Sequence, residues 1–197
     1  MQNNKSKINK DQGQKFPTVP GQLPSQQKKR KGRNRAASEY KRSLQEKQAL
    51  KRLYGLSEKQ FKRYVKETLK MTKAENLADE LIKRLERRLD SVVLRLGFVK
   101  TQSQSRQLVS HAYFLVNGKP VNIASFQIKK GDIIALKESK KKKLIFKDLT
   151  AKLKKLQIPE WLSLDKEKFE GKIIRYPNLS DVNPPVEIQL IFEFYSR

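Results

Sequence analysis

Between Arg88 and Leu136 the apolar spacing changes from that of a helix to that of a strand, which rules out a single type of secondary structure there. Leu89, Val92, Val93 and Leu96 fall at i, i+3, i+4 and i+7, one stripe of a helix, and Gly97 stands where a left-handed residue would end it. Thr101, with Gln104 three residues on, has the form of a capping box opening a second helix that buries Leu108, Val109 and Ala112. Phe114-Leu115-Val116 is then an apolar run, Asn117-Gly118 a hairpin signal, and Val121 to Ile123 the expected return strand. Lys130-Gly131-Asp132 marks another turn before a last strand, Ile133 to Leu136. The stretch 88–136 thus predicts a unit of two helices and a small antiparallel sheet.

Arg95, Arg106, Gln107, Ser110 and His111 lie on or near the two helices but off their apolar stripes, and Lys100, Thr101, Ser103 and Ser105 cluster where the second helix begins. Free N–H groups, the helix dipole and hydroxyls at such a place suit a phosphate oxygen. Taken singly, each residue reads as part of a solvated face. Taken together, on a chain with 45 Lys and Arg against 20 Asp and Glu, they favour RNA. Arg88, Asn117 and Lys119 complete the candidate contacts of this unit. A net charge of +25 opposes compaction unless a polyanion neutralises it, and nucleic acid is a better candidate than an acidic membrane surface. No apolar run approaches the ~20 residues that cross a bilayer. The first residues lack the apolar core of a secretory signal, and Asp11 with weak amphipathicity argues against a transit peptide. Without cysteine, and with His111 as the one histidine, disulfides, thiolate zinc and all-histidine metal sites are excluded.

Arg88-Leu89-Asp90, Arg106-Gln107-Leu108-Val109-Ser110-His111, Val116-Asn117-Gly118 and Val121-Asn122-Ile123-Ala124-Ser125 resemble the S-four RNA-binding domain. That domain is also appended to RNA-modifying enzymes and a tRNA synthetase, so the flanking chain decides between them.

Residues 1–37 are polar, with Gly and Pro interspersed, and cannot bury enough surface to offset the entropy of ordering. They read as an extended basic arm. Lys28, Lys29, Arg30, Lys31, Arg33 and Arg35 place six cations in eight positions, suited to folding along RNA with release of counterions. Ser38 is a candidate N-cap, Gly55 a stop, and Ser57 with Gln60 and Thr72 with Glu75 two further capping boxes. Phe61, Tyr64, Val65 and Leu69, then Leu77, Ala78, Leu81, Ile82 and Leu85, are apolar stripes of a small helical bundle. At helical spacing Tyr40, Tyr54, Phe61 and Tyr64 read as core or half-core residues rather than base-stacking ones. The outer faces are basic, with Lys47, Arg52 and Arg63 the chosen contacts. A basic linker over 137–143 leads to Leu144, Ile145, Leu149, Leu153 and Leu156, spaced as one more amphipathic helix, and Pro159 stops it. Leu162 with Leu164 and Ile173-Ile174 suggest short strands, while the spacing of Val186 to Tyr195 allows either strand or helix.

Pro20-Gly21-Gln22, Ser38-Glu39-Tyr40, Leu44-Gln45-Glu46-Lys47-Gln48, Tyr54-Gly55-Leu56 and Glu58-Lys59-Gln60-Phe61 resemble the segment before the S-four domain in the bacterial-type ribosomal S-four family. Pro159-Glu160-Trp161-Leu162, Leu179-Ser180-Asp181 and Glu193-Phe194-Tyr195-Ser196-Arg197 resemble its tail. The resemblance implies an α+β chain: a discontinuous, mainly helical first domain (38–87 plus 144–197) closed by a terminal helix, with the S-four domain (88–136) inserted. It also implies direct binding of small-subunit rRNA, an early role in subunit assembly, neighbouring ribosomal proteins, mRNA at the entrance channel, and an effect on decoding accuracy. Its place would be the small subunit of a cytoplasmic or organellar ribosome. Two departures matter. Some members carry a cysteine cluster for zinc in a longer N-terminal segment, and this chain has none. Pro-Gly-Gln continues Leu23-Pro24 instead of His-Gly, so contacts of that pair do not carry over.

One histidine without cysteine removes most nucleophile and base arrangements, and neither a GxxxxGKS loop nor a GxGxxG after a strand occurs. Glu86 and Asp90, flanked by Arg84, Arg87 and Arg88, read as surface ion pairs. A structural RNA-binding protein without cofactor, metal, small-molecule substrate or membrane is the reading that follows. The alternatives are an RNA-modifying enzyme or a non-specific polyanion binder.

Overall fold

The computed structural model describes residues 35–71, 76–147, 149, 153 and 156–196. The arm cations Lys28, Lys29, Arg30, Lys31 and Arg33, and the expected cap at Thr72 and Glu75, lie outside the described residues.

The chain forms two cores. The first begins with α1 (Arg35–Leu53), α2 (Glu58–Leu69) and α3 (Leu77–Glu86). The first helix already runs through Ser38, so that residue is not its cap. It ends as expected at Gly55, whose φ of +58° a side chain would strain, while the Leu56 N–H bonds back to the Lys51 carbonyl at 3.0 Å. The Ser57–Gln60 capping box forms with both reciprocal bonds. The third helix is capped by Asn76, whose side-chain oxygen accepts from the Ala78 N–H at 2.9 Å. The stripes Phe61, Tyr64, Val65 and Leu81, Ile82, Leu85 are buried together with Leu50 and Tyr54.

The second core begins with α4 (Leu89–Arg95) and α5 (Gln102–Ser110), followed by β1 (Phe114–Val116), β2 (Lys119–Pro120) and β3 (Ile133–Leu136). Gly97, at φ +78°, ends the first of these helices. The Thr101 hydroxyl accepts from the Gln104 N–H at 3.2 Å, but the Gln104 side chain reaches the Lys100 N–H instead of closing a full box. Asn117 and Gly118, at φ +50° and +78°, make the hairpin turn, with Val116 opposite Lys119. The expected return strand over Val121 to Ile123 does not form. The chain leaves the ladder after Pro120 and turns back over α4, where Ala124 and Phe126 carbonyls accept from the Asp90 and Leu89 N–H groups at 3.2 and 2.9 Å.

After β3 come α6 (Glu138–Lys141) and a 3₁₀ turn at Leu144–Phe146, then β4 (Leu162–Asp165) and β5 (Glu170–Ile173). Where the sequence reading places 144–197 with the helical domain, β4 and β5 extend the sheet, all antiparallel in the order β2-β1-β3-β5-β4, and Phe146, Leu149, Leu153, Trp161, Leu162 and Ile173 are buried in the second core. The apolar stripe also shifts by register. Phe146, Leu149 and Leu153 are buried, whereas Leu144 is 82% exposed. Only from α7 (Leu179–Val182) and α8 (Ile188–Ser196) does the tail return to the first core, and its last element is a helix. Ile188 and Ile191 enter that core, and the Phe194 ring lies 5.6 Å from that of Tyr40.

Candidate nucleic-acid interface

Four of the cations expected to meet RNA are engaged inside the protein. Arg88 is 1% exposed and pairs through two nitrogens with the fully buried Asp90 at 2.9 and 2.7 Å, while a third donates to the Tyr64 hydroxyl at 2.9 Å. Burial opposes its charge, but the hydrogen bonds and charge of Asp90 more than offset that and raise the guanidinium pKa above its ordinary value. Arg106 reaches from α5 to the same carboxylate at 3.1 Å and to the backbone carbonyls of Tyr54 and Gly55 at 3.2 and 2.5 Å. Arg95 grips Glu86 with two bonds of 2.9 and 2.6 Å, and these raise its pKa. Tyr54 also donates to Glu86 at 2.7 Å, and burial, then the charge of Glu86, pushes its phenol up. Lys47 lies buried against Glu58 at 2.9 Å, with its ammonium 4.4 Å from the Phe194 ring centre.

Glu86 and Asp90 are therefore not surface ion pairs. Each is fully buried at the border of the two cores: Glu86 receives Tyr54 from the first and Arg95 from the second, while Asp90 holds Arg88 and Arg106, which themselves donate to the Tyr64 hydroxyl and to the Tyr54 and Gly55 carbonyls of the first. This joint fixes the two lobes relative to each other. Asn117 is committed too: its side chain donates to Asp132 and accepts from the Ile133 N–H, both at 2.9 Å, which holds the turn. The Thr101 hydroxyl is a helix cap, and the Ser110 hydroxyl donates to the Gln107 carbonyl at 2.8 Å.

The remaining candidates face solvent. On α5 the exposed Ser103, Gln107 and Ser110, with His111 at its C-cap, follow one helical face, and the exposed Lys100 precedes it. Lys119 is exposed at the hairpin. Arg52 is exposed on α1, and Arg35 opens that helix as its first described residue. Arg63 belongs to a larger feature. A groove of about 660 Å³ along α2 is lined by Lys59, Lys62, Arg63, Lys66 and Lys70, with Glu67 the one acid among its lining residues. At the joint, a polar hollow of about 290 Å³ brings Arg63, Arg84 and Arg87 of the first lobe to Ser125 and Gln127 of the second. The i, i+3, i+4, i+7 spacing of Lys59, Lys62, Arg63 and Lys66 signals the groove in sequence. The meeting with Ser125 carries no sequence signal, because it depends on how the lobes dock.

Among the described residues no three His, Cys, Asp or Glu side chains stand together as a metal site, and no helix is long and apolar enough to cross a membrane. The family model "S4 domain" matches residues 87–134, and "Ribosomal protein S4/S9 N-terminal domain" matches 2–86, so the two meet at the joint. Small ribosomal subunit protein uS4 of Persephonella marina is 48% identical over 174 residues, 88% of this chain and 84% of the relative. Its counterpart from Aquifex aeolicus is 45% identical over 177 residues, 88% and 83% of the two chains. That from Caldicellulosiruptor saccharolyticus is 44% identical over 184 residues, 93% and 84%. With family models matching residues 2–134 and relatives of this closeness along most of its length, the chain belongs to the family of small ribosomal subunit protein uS4, a structural and non-enzymatic one.

Proposed function

We propose that this protein is a structural component of the small ribosomal subunit, in the cytoplasm, that binds small-subunit rRNA directly and without turnover. The cationic groove of α2 supports the reading most strongly: five cations and one acid line a single surface, held on a lobe whose orientation the buried ion pairs set. Lys62, Arg63 and Lys66 of that groove, Arg52, and the α5 face of Lys100, Ser103, Gln107, Ser110 and His111 contact the RNA, with Lys119 at the hairpin. Lys28, Lys29, Arg30, Lys31, Arg33 and Arg35 run along it. Phosphate neutralisation supplies affinity, and the fixed angle between two basic lobes selects one folded RNA over a uniform duplex. In this role the protein nucleates subunit assembly, adjoins other small-subunit proteins, lines the mRNA entrance and influences decoding accuracy.

The test is filter binding of a small-subunit rRNA transcript at about 0.2 M salt against excess duplex DNA, since sequence-independent phosphate binding weakens steeply with salt. Retention of the rRNA supports the proposal. Equal displacement by the duplex would reduce the protein to a general polyanion binder.

A further inference from the structure

Besides the groove on α2 and the hollow at the joint there is a further one, of about 530 Å³, between α5 and the segment that follows β3. One wall is the α5 face, with Gln104, Gln107 and His111. The other is α6 and the turn after it, with Lys140, Lys143, Leu144 and Ile145. Tyr113 stands in it firmly, its ring 6.1 Å from that of Phe146 on one side and under the Lys140 ammonium at 4.9 Å.

Three properties of this hollow define its occupant. Leu144, 82% exposed, and Ile145, 43% exposed, offer apolar surface that nothing in the described chain covers, on a segment whose neighbour Phe146 is anchored in the core. The carboxamides of Gln104 and Gln107 and the imidazole of His111 supply both donors and acceptors along one edge. The rim is cationic through Lys140 and Lys143, and no acid lines the hollow. A group with apolar faces, a hydrogen-bonding edge and negative charge on both flanks matches all three. A nucleotide unstacked from RNA has that chemistry. The volume lies within the range of ordinary small-ligand clefts, about 300–1,000 Å³.

We propose that this hollow captures one unstacked nucleobase of the bound RNA, its faces against Leu144 and Ile145, its edge on Gln107 and His111, and its neighbouring phosphates on Lys140 and Lys143. The inference rests on the RNA-binding function proposed above and gives it a base-reading element, which phosphate contacts alone lack. The basic run after β3 is then the cationic lip of a pocket rather than a linker.

The test uses the full chain and a transcript of bacterial small-subunit rRNA, irradiated at short wavelength and analysed by mass spectrometry for nucleotide-bearing peptides. The proposal expects a crosslink within residues 104–113 or 140–147. It also expects Ile145→Asp and the pair Gln107→Ala with His111→Ala to weaken binding about tenfold without changing the salt slope. All three positions are exposed, and circular dichroism with thermal melting checks each fold. The pair Lys140→Ala with Lys143→Ala lowers the slope by about 1.4, two single-strand phosphate contacts. If wild type binds the rRNA but gives no crosslink at the hollow, and the Ile145 and Gln107/His111 variants bind like wild type, the pocket is overturned while the function stands. If wild type fails to bind the rRNA, both fall. A crosslink to another protein, found in isolated subunits in place of a nucleotide, would assign the apolar wall to a protein neighbour and overturn the pocket.

Discussion

Asp90 is the residue on which the joint turns. It neutralises Arg88 inside the protein and takes the end of Arg106 arriving from α5, so removing its charge leaves one guanidinium buried without a counter-ion. Asp90→Ala should cost about 3–5 kcal/mol in urea unfolding, far more than an exposed ion pair. Arg106→Ala should likewise lower stability, because its bonds to Asp90 and to the Tyr54 and Gly55 carbonyls join the lobes, so it is a poor probe of RNA contact. Glu58 predicts a pH effect. Desolvation pushes its carboxyl up, but hydrogen bonds from Lys47, Tyr195 and Lys51 hold it at about 2 against an ordinary 4.5. A depressed carboxyl stabilises the fold above its unfolded pKa and loses that contribution as pH falls, here between about 4.5 and 2. With the side chain 46% exposed, solvent screening leaves roughly 1 kcal/mol, read as the difference between wild type and Glu58→Gln across that window.

Among the elements, β5 lies so close to the end of α4 that a Cβ at Gly171 would stand 2.3 Å from a Leu96 methyl. Gly171→Ala should therefore destabilise by about 1–3 kcal/mol, visible as a lower urea midpoint with unchanged slope. Most elements were legible in sequence because their signals are local. Asn117-Gly118 dictates its turn, Ser57 and Gln60 cap each other, and the stripes of α2, α3 and α4 face their cores as the spacing requires. What escaped depends on distant partners. Leu162 and Leu164 show short strands but not that Leu164 pairs with Gly171, or that Gly171 lies opposite Ile134 to prolong the sheet. In the candidate site, charge identity misled: Arg88, Lys47 and Arg106 look like solvent-facing cations until their acids are located, Glu58 on α2 for Lys47, Asp90 on α4 for Arg106, and for Arg88 the same Asp90, only two residues on but buried where the two cores meet.

At the scale of the whole molecule, surplus cations gather on the outside once the internal pairs are subtracted. The double variant Lys62→Ala with Lys66→Ala should leave the melting temperature within about 2 °C of wild type, since both side chains are exposed. It should also lower the salt slope of rRNA binding by about 1.4–1.8. The first core, by contrast, is assembled from segments far apart in the chain, with Ile191 from α8 packed among residues of α1 to α3. Ile191→Ala should cost about 2–5 kcal/mol by the cavity it leaves, measured by thermal and urea melts together. The same arrangement orders events during translation. The sheet-bearing lobe has all its strands once Ile173 has emerged, but the helical lobe must wait, its apolar seam bare, until Ile188 and Ile191 follow. Between the emergence of Ile173 and that of Ile191 a nascent chain thus carries one finished lobe and one sticky lobe, and the late lobe is the one bearing the cationic groove of α2.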